Sequence, residues 1–182
     1  MMQANRKPPS QRGLTLIELL TTLVLIGTLL GLAMPSMHTL VQQRRLDGAV
    51  QTYLSQLHWA RLQAVALNQP VFIGFGLNPA GSCYLFYTGQ RDRCSCGAAG
   101  STCAEGAQLL LATDLPQGSG ISVGTGAKSS ITVDALRGTV TPTFVATFTA
   151  RGGHTVQATT SVMGRTRTCS PTPGVPGWPA CA

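Results

Sequence analysis

The sequence predicts an α+β chain: a long N-terminal α-helix followed by an antiparallel β-sheet or sandwich domain. Three observations predict it. Residues 14–34 are an apolar run with one charge, Glu18. Beyond Pro35, the residues Leu46, Val50, Tyr53, Leu57, Ala60, Ala64 and Leu67 recur every three or four positions, as one stripe of an amphipathic helix does. After Pro70, short aromatic and β-branched segments alternate with Gly and Pro turns. Composition excludes other classes. With 43% hydrophobic and only 10% charged residues among 182, the chain is too apolar for a charged disordered segment. It has no Gly-X-Y period and no Glu/Lys-rich heptads. Six acids and three histidines leave little acid–base chemistry to distribute, yet 13 basic residues give a net charge of +7.

The first thirteen residues carry Arg6, Lys7 and Arg12 and no acid, and Pro8 and Pro9 oppose a helix there. As a helix, residues 14–34 would span about 31 Å, close to the ~30 Å apolar core of a bilayer. Basic residues on the N-terminal side place that side in the cytoplasm and the rest of the chain across the membrane. A secretory signal peptide, cut near Gly31-Leu32-Ala33, and a plain anchor are alternatives. Glu18 fits both poorly, because a carboxylate in an apolar helix costs a few kcal/mol and by default finds its partner elsewhere.

The amphipathic half ends at Asn68 and Pro70. Val71–Leu77 and Cys83–Thr88 read as two strands joined by Asn78-Pro79-Ala80-Gly81. Further strands are expected at Leu109–Thr113, Ile121–Thr125, Ile131–Asp134, Thr143–Thr149 and Thr155–Met163. Tyr53 and Trp59 are expected in the core.

Arg12-Gly13-Leu14-Thr15-Leu16-Ile17-Glu18-Leu19-Leu20 closely resembles the class III leader site of type IV pilins and pseudopilins. The resemblance implies that a prepilin peptidase cuts between Gly13 and Leu14 and that the new N-terminus, Leu14, is N-methylated. It implies that Glu18, at the fifth mature position, pairs with the N-terminal amine of a neighbouring subunit during assembly. Such a pairing is a way to hold a carboxylate in apolar surroundings. Pro35 falls where the family commonly has a helix-bending proline; Leu14 departs from the Phe of major pilins. A long helix followed by an all-β domain is the architecture of the FimT/GspH-like minor pilins and pseudopilins. The implied organisation is a leader over 1–13, a transmembrane and assembly half-helix over 14–35, an amphipathic half over 36–69, a β-rich domain over 70–168 and a Pro-rich tail over 169–182. The implied location is the inner membrane, single-pass with a periplasmic C-terminal domain, and then a filament or the cell surface.

Six cysteines, Cys83, Cys94, Cys96, Cys103, Cys169 and Cys181, in an exported domain suggest disulfides, with fifteen full pairings open. Zinc is the rival, but Cys94-x-Cys96 with Cys103 lacks the usual C-x2-C pairs and no histidine is near. No metal or other cofactor is expected. Ser95–Gly106 reads as an exposed loop that disulfides could hold. Cys169 and Cys181 flank a segment with four prolines, and a bridge between them would close it, stabilising by about 3 kcal/mol.

From Ala135 onward there are four arginines and no acid. If Thr155–Thr168 is one long strand, Arg165 and Arg167 share a face about 7 Å apart, a spacing suited to gripping phosphates. Gly164-Arg165-Thr166-Arg167 matches the GRxR motif of FimT-type pilins. That resemblance implies sequence-independent DNA binding in natural transformation. The competing reading is that two arginines solvate an edge strand. Trp178 could stack on a base but is expected to pack on its own domain. The alternative function is structural: a GspH-like minor pseudopilin of a type II secretion system, or a pilus-priming subunit without DNA binding, with other pilins as partners. An enzyme is not expected, since no G-x-S-x-G elbow is present and His38, His58 and His154 share no spacing with carboxylates.

Overall fold

The computed structural model describes residue 13, residues 15–97, 100–126, 130–171 and 175–181; within the helix, the side chains of residues 32–36 and 38 are excluded. Residues 1–12 and Leu14, on which most of the expected leader and the expected N-methylation site fall, lie outside the described residues. The chain divides into two compact units, Met1–Thr39 and Leu40–Ala182.

One α-helix, α1, runs Leu16–Leu67. In the first unit its large apolar side chains from Leu16 to Leu30 are all exposed. Among the described residues no helix is long and apolar enough to cross a membrane. In the second unit the amphipathic stripe is buried as expected from Leu46 to Ala64, but Leu67 is 45% exposed and does not belong to it.

Eleven strands follow among the described residues. A five-stranded sheet has the order β5-β2-β1-β7-β8: β1 is Val71–Asn78, β2 Gly81–Gly89, β5 Ala107–Pro116, β7 Ile131–Val133 and β8 Val140–Thr141. A four-stranded sheet has the order β11-β10-β9-β6, where β6 is Ile121–Thr125, β9 Phe144–Ala150, β10 Thr155–Thr160 and β11 Thr166–Cys169. All strand pairs in both are antiparallel. The inner faces of both sheets and the helix stripe enclose one core. Tyr53 is its hub, with ring centroids 5.2 Å from Tyr84 on one sheet and 5.3 Å from Phe148 on the other. Alternation is strict where a sheet has one buried face: β9 reads Phe144, Ala146, Phe148 and Ala150 inward. Trp59 packs half-buried against this core.

The cysteine-rich segment is not the expected loop. It is a two-stranded hairpin, β3 Cys94–Gly97 with β4 Gly100–Cys103, locked by Cys94–Cys103 and tied to β2 by Cys83–Cys96. Gly76 of β1 lies beneath it, where a Cβ would come within 2.9 Å of the Cys96 Cβ, so only glycine lets the hairpin lie this close. The tail is closed by Cys169–Cys181. Its described residues fold back: Ser170 N donates to Pro179 O at 2.8 Å, Cys181 N donates to Ser170 O at 3.1 Å, and Val175 is buried.

Candidate nucleic-acid interface

The arginine motif lies on a hairpin, not on one long strand. β10 stops at Thr160, the chain turns over 161–165, and β11 returns as the edge of the four-stranded sheet. The turn is specified locally. Gly164 N donates to Ser161 O at 2.8 Å, and Ser161 N donates to Arg165 O at 3.0 Å. Gly164 has φ +71°, a left-handed conformation that glycine adopts without strain. Thr160 and Thr166 link their hydroxyls at 3.1 Å on the inner face.

The register pairs Arg167 with Thr159, whose neighbours Ala158 and Thr160 are buried. Arg167 therefore projects from the outer face, and Arg165, in the turn just before β11, is exposed. Neither guanidinium has a hydrogen-bond or ion-pair partner among the described residues. Exposed arginines without partners can be offered to an anion at little desolvation cost, and their planar forks suit phosphate oxygens.

Sequence reasoning missed the residue that holds this hairpin. Arg61, half-buried on α1, donates from Nε to Gly138 O at 3.1 Å, from Nη1 to Gly164 O at 3.1 Å and from Nη2 to Met163 O at 3.5 Å. A Cβ on Gly164 would lie 2.5 Å from the Arg61 Cζ. The motif glycine thus serves two needs at once, the left-handed turn and the close approach of Arg61. Nothing in the sequence near position 61 signals this, because its partners are 77 to 103 residues away. A cleft of about 290 Å³, lined by Leu54, Leu57, His58, Arg61, Gly164 and Thr166, separates the helix from the inner face of the hairpin.

The remaining residues singled out from the sequence lie elsewhere. Trp178 packs against the core, and its indole Nε1 donates to Asp47 Oδ1 at 2.6 Å, so it is not free to stack on a base. Glu18 sits in the first turn of α1, exposed, where an acid complements the positive end of the helix dipole. Gly13 is exposed; Leu14 lies outside the described residues. All six cysteines are disulfide-bonded.

Asp92 closes another part of the surface. Its Oδ1 accepts from Ser130 Oγ at 2.6 Å and Ser130 N at 2.9 Å, and Tyr87 and Ser130 link their hydroxyls at 2.5 Å. Arg91 bonds Thr132 and lies over the Phe72 ring.

Comparison with known proteins adds identity to this geometry. Residues 8–34 match the model of the prokaryotic N-terminal methylation motif. The chain is 37% identical over 84 residues to the pilin-like protein PilA1 of Thermus thermophilus, covering 46% of this chain and 53% of that protein. It therefore spans about half the length of that relative. Among solved structures it is similar to the minor pseudopilin EpsH from the Type 2 Secretion System of Vibrio cholerae, with a TM-score of 0.48 and 16% identity over 70% of this chain and 98% of that one. Residues 49–165, more than half of the chain and including the whole helix stripe from Val50 onward, match the family model described as Type II transport protein GspH, and the chain belongs to that family of minor pilins and pseudopilins.

Proposed function

We propose that this minor pilin binds DNA electrostatically through Arg165 and Arg167 and helps draw it to the cell in natural transformation. The observation that carries the reading is two exposed arginines at the start of an edge strand, without partners among the described residues, behind a glycine that the fold requires. Binding of this kind is read through counterion release. Titrating labelled duplex DNA into the full-length chain in a non-ionic detergent at several salt concentrations gives the slope of log K against log salt. Arg165→Ala/Arg167→Ala should flatten it by about 1.8 units, at ~0.9 per phosphate contact. An unchanged slope and affinity refute the assignment. In the same reading a prepilin peptidase cuts between Gly13 and Leu14, Leu14 is N-methylated, and Glu18 meets the amine of a neighbouring subunit. The residue 14–35 half-helix anchors the chain in the inner membrane, with the β domain on the periplasmic side, until assembly.

A second reading is favoured by the family match itself, which is to a type II transport protein. Here the chain is a structural subunit of a secretion filament, and the arginines only solvate an edge strand. Deletion separates the two: loss of DNA uptake, restored by wild type but not by the double-arginine variant, supports the first. Loss of protein secretion, restored by both, supports the second.

A further inference from the structure

Arg61 does more than hold one turn. Gly138, the acceptor of its Nε, lies in the turn between β7 and β8, at one end of the five-stranded sheet. Gly164 and Met163, its other acceptors, lie in the turn between β10 and β11 of the four-stranded sheet. A backbone bond from Val140 N to Val162 O at 2.8 Å makes the same junction. Two turns that share no strand ladder are thereby fixed side by side. Bonds of ~3 Å to nitrogens of one planar fork keep the Gly138 and Gly164 carbonyl oxygens within about 9 Å of each other.

Each of these glycines has an exposed arginine as its chain neighbour: Arg137 before Gly138 and Arg165 after Gly164. The acid nearest to Arg137 in the chain, Asp134, is turned into its own loop. Its Oδ1 accepts from the backbone N–H of Leu136 at 3.0 Å and of Arg137 at 2.8 Å. Three of the five Arg61 N–H donors are committed to backbone carbonyls, which holds the guanidinium in the junction between the turns.

We propose that Arg137 is a third phosphate contact of the site, and that Arg61 is the positioning residue that joins its turn to the arginine pair. The inference rests on the reading of Arg165 and Arg167 as DNA contacts and extends their site across both sheets. Duplex DNA carries one charge per ~1.7 Å of axis, counting both strands, so several phosphates lie within reach of a surface that spans more than one turn. Three guanidiniums distributed over such a face each find an acceptor, whereas a single small anion would engage one or two.

The test uses the full-length chain in non-ionic detergent with a labelled duplex of about 30 base pairs and mixed sequence. Arg137→Ala should lower the salt slope by about 0.9 and the triple arginine variant by about 2.7. Arg151→Ala removes an equal charge from the β9–β10 turn, at the other end of β10, and should leave the slope unchanged. Arg61→Lys keeps the net charge but loses the fork that spans both turns. It should lower the slope while near-ultraviolet circular dichroism stays native. If Arg137→Ala behaves as wild type while Arg165→Ala/Arg167→Ala loses slope, the third contact is refuted and the two-arginine site stands. If none of the variants moves the slope, both fall. A loss for Arg151→Ala equal to that for Arg137→Ala indicates diffuse charge and overturns the proposal. A wild-type slope for Arg61→Lys overturns its positioning role.

Discussion

Replacing Gly164 by alanine tests whether the helix and the motif hairpin are one mechanical unit. Two costs are expected. Alanine at φ +71° pays about 1–2 kcal/mol for left-handed backbone. Its Cβ would also meet Arg61 Cζ at 2.5 Å and the two nearest nitrogens at 2.7 and 2.8 Å. These atoms are the far end of a side chain, so the backbone need not move. The guanidinium must move instead, and it is held by two bonds of 3.1 Å to carbonyls. Bonds from a charged donor contribute about 1.5–3 kcal/mol each, and the site is only partly buried, so the lower end applies. Gly164→Ala should therefore cost about 3–5 kcal/mol in the wild-type chain. In an Arg61→Ala background the methyl group meets space, and only the backbone cost of about 1–2 kcal/mol remains. The coupling is then on the order of 2–3 kcal/mol, at the upper end for residues in contact. Thermal unfolding followed by near-ultraviolet circular dichroism reports on the aromatic core around Tyr53. The single Gly164→Ala change should lower Tm by roughly 10 °C, and by about 3–5 °C once Arg61 is gone, at ~2–4 °C per kcal/mol. Equal costs in both backgrounds, within about 0.5 kcal/mol, would refute the claim that Arg61 dictates glycine here.

Three further outcomes follow from single features. Tyr53 is fully buried, its hydroxyl has no hydrogen-bond partner among the described residues, and burial pushes its phenol well above the ordinary range. Tyr53→Phe removes an unsatisfied polar group worth about 1–3 kcal/mol while leaving the ring packing, so Tm should rise, and a fall of more than about 2 °C would count against this. Cys169→Ser/Cys181→Ser should lower stability by about 2–3 kcal/mol and increase proteolysis of the tail around Val175 and Trp178; unchanged cleavage would show that packing alone holds it. The hydroxyl and then the backbone N–H of Ser130 hold the Asp92 carboxyl below its usual range. A carboxyl with a lowered folded pKa stabilises above its unfolded pKa of about 3.9 and loses that contribution as pH falls through the folded value. Asp92→Asn should flatten the decline of Tm below about pH 4, and parallel profiles for variant and wild type would exclude the mechanism.

Local chemistry decided what could be read in advance. The stripe from Leu46 to Ala64 was legible because burial against a core imposes a helical period on the sequence itself. β9 was legible because one buried face imposes a period of two. The β3–β4 hairpin was not, since its short strands carry Ser, Thr, Gly and Cys rather than β-branched apolar residues and are held by sulfur instead of burial. The turn at 161–165 was obscured for another reason. Val162 and Met163 look like strand interior, yet they are exposed at 43% and 78%.

The motif shows the same division most sharply. Its four residues could be picked out by position, but the reason for its glycine could not, because that reason is a guanidinium 103 residues earlier. Arg61 in turn looks like any polar residue beside an amphipathic stripe until its acceptors are known. Its three carbonyls come from turns of both sheets, so the spacing between the Arg137 turn and the Arg165 turn depends on tertiary structure alone. A variant with every motif residue intact and Arg61 changed to Lys therefore separates the two levels. If the motif sequence were sufficient, it would keep the full salt dependence of DNA binding. If presentation by the helix is required, the slope falls although no residue of the motif and no unit of charge has been lost.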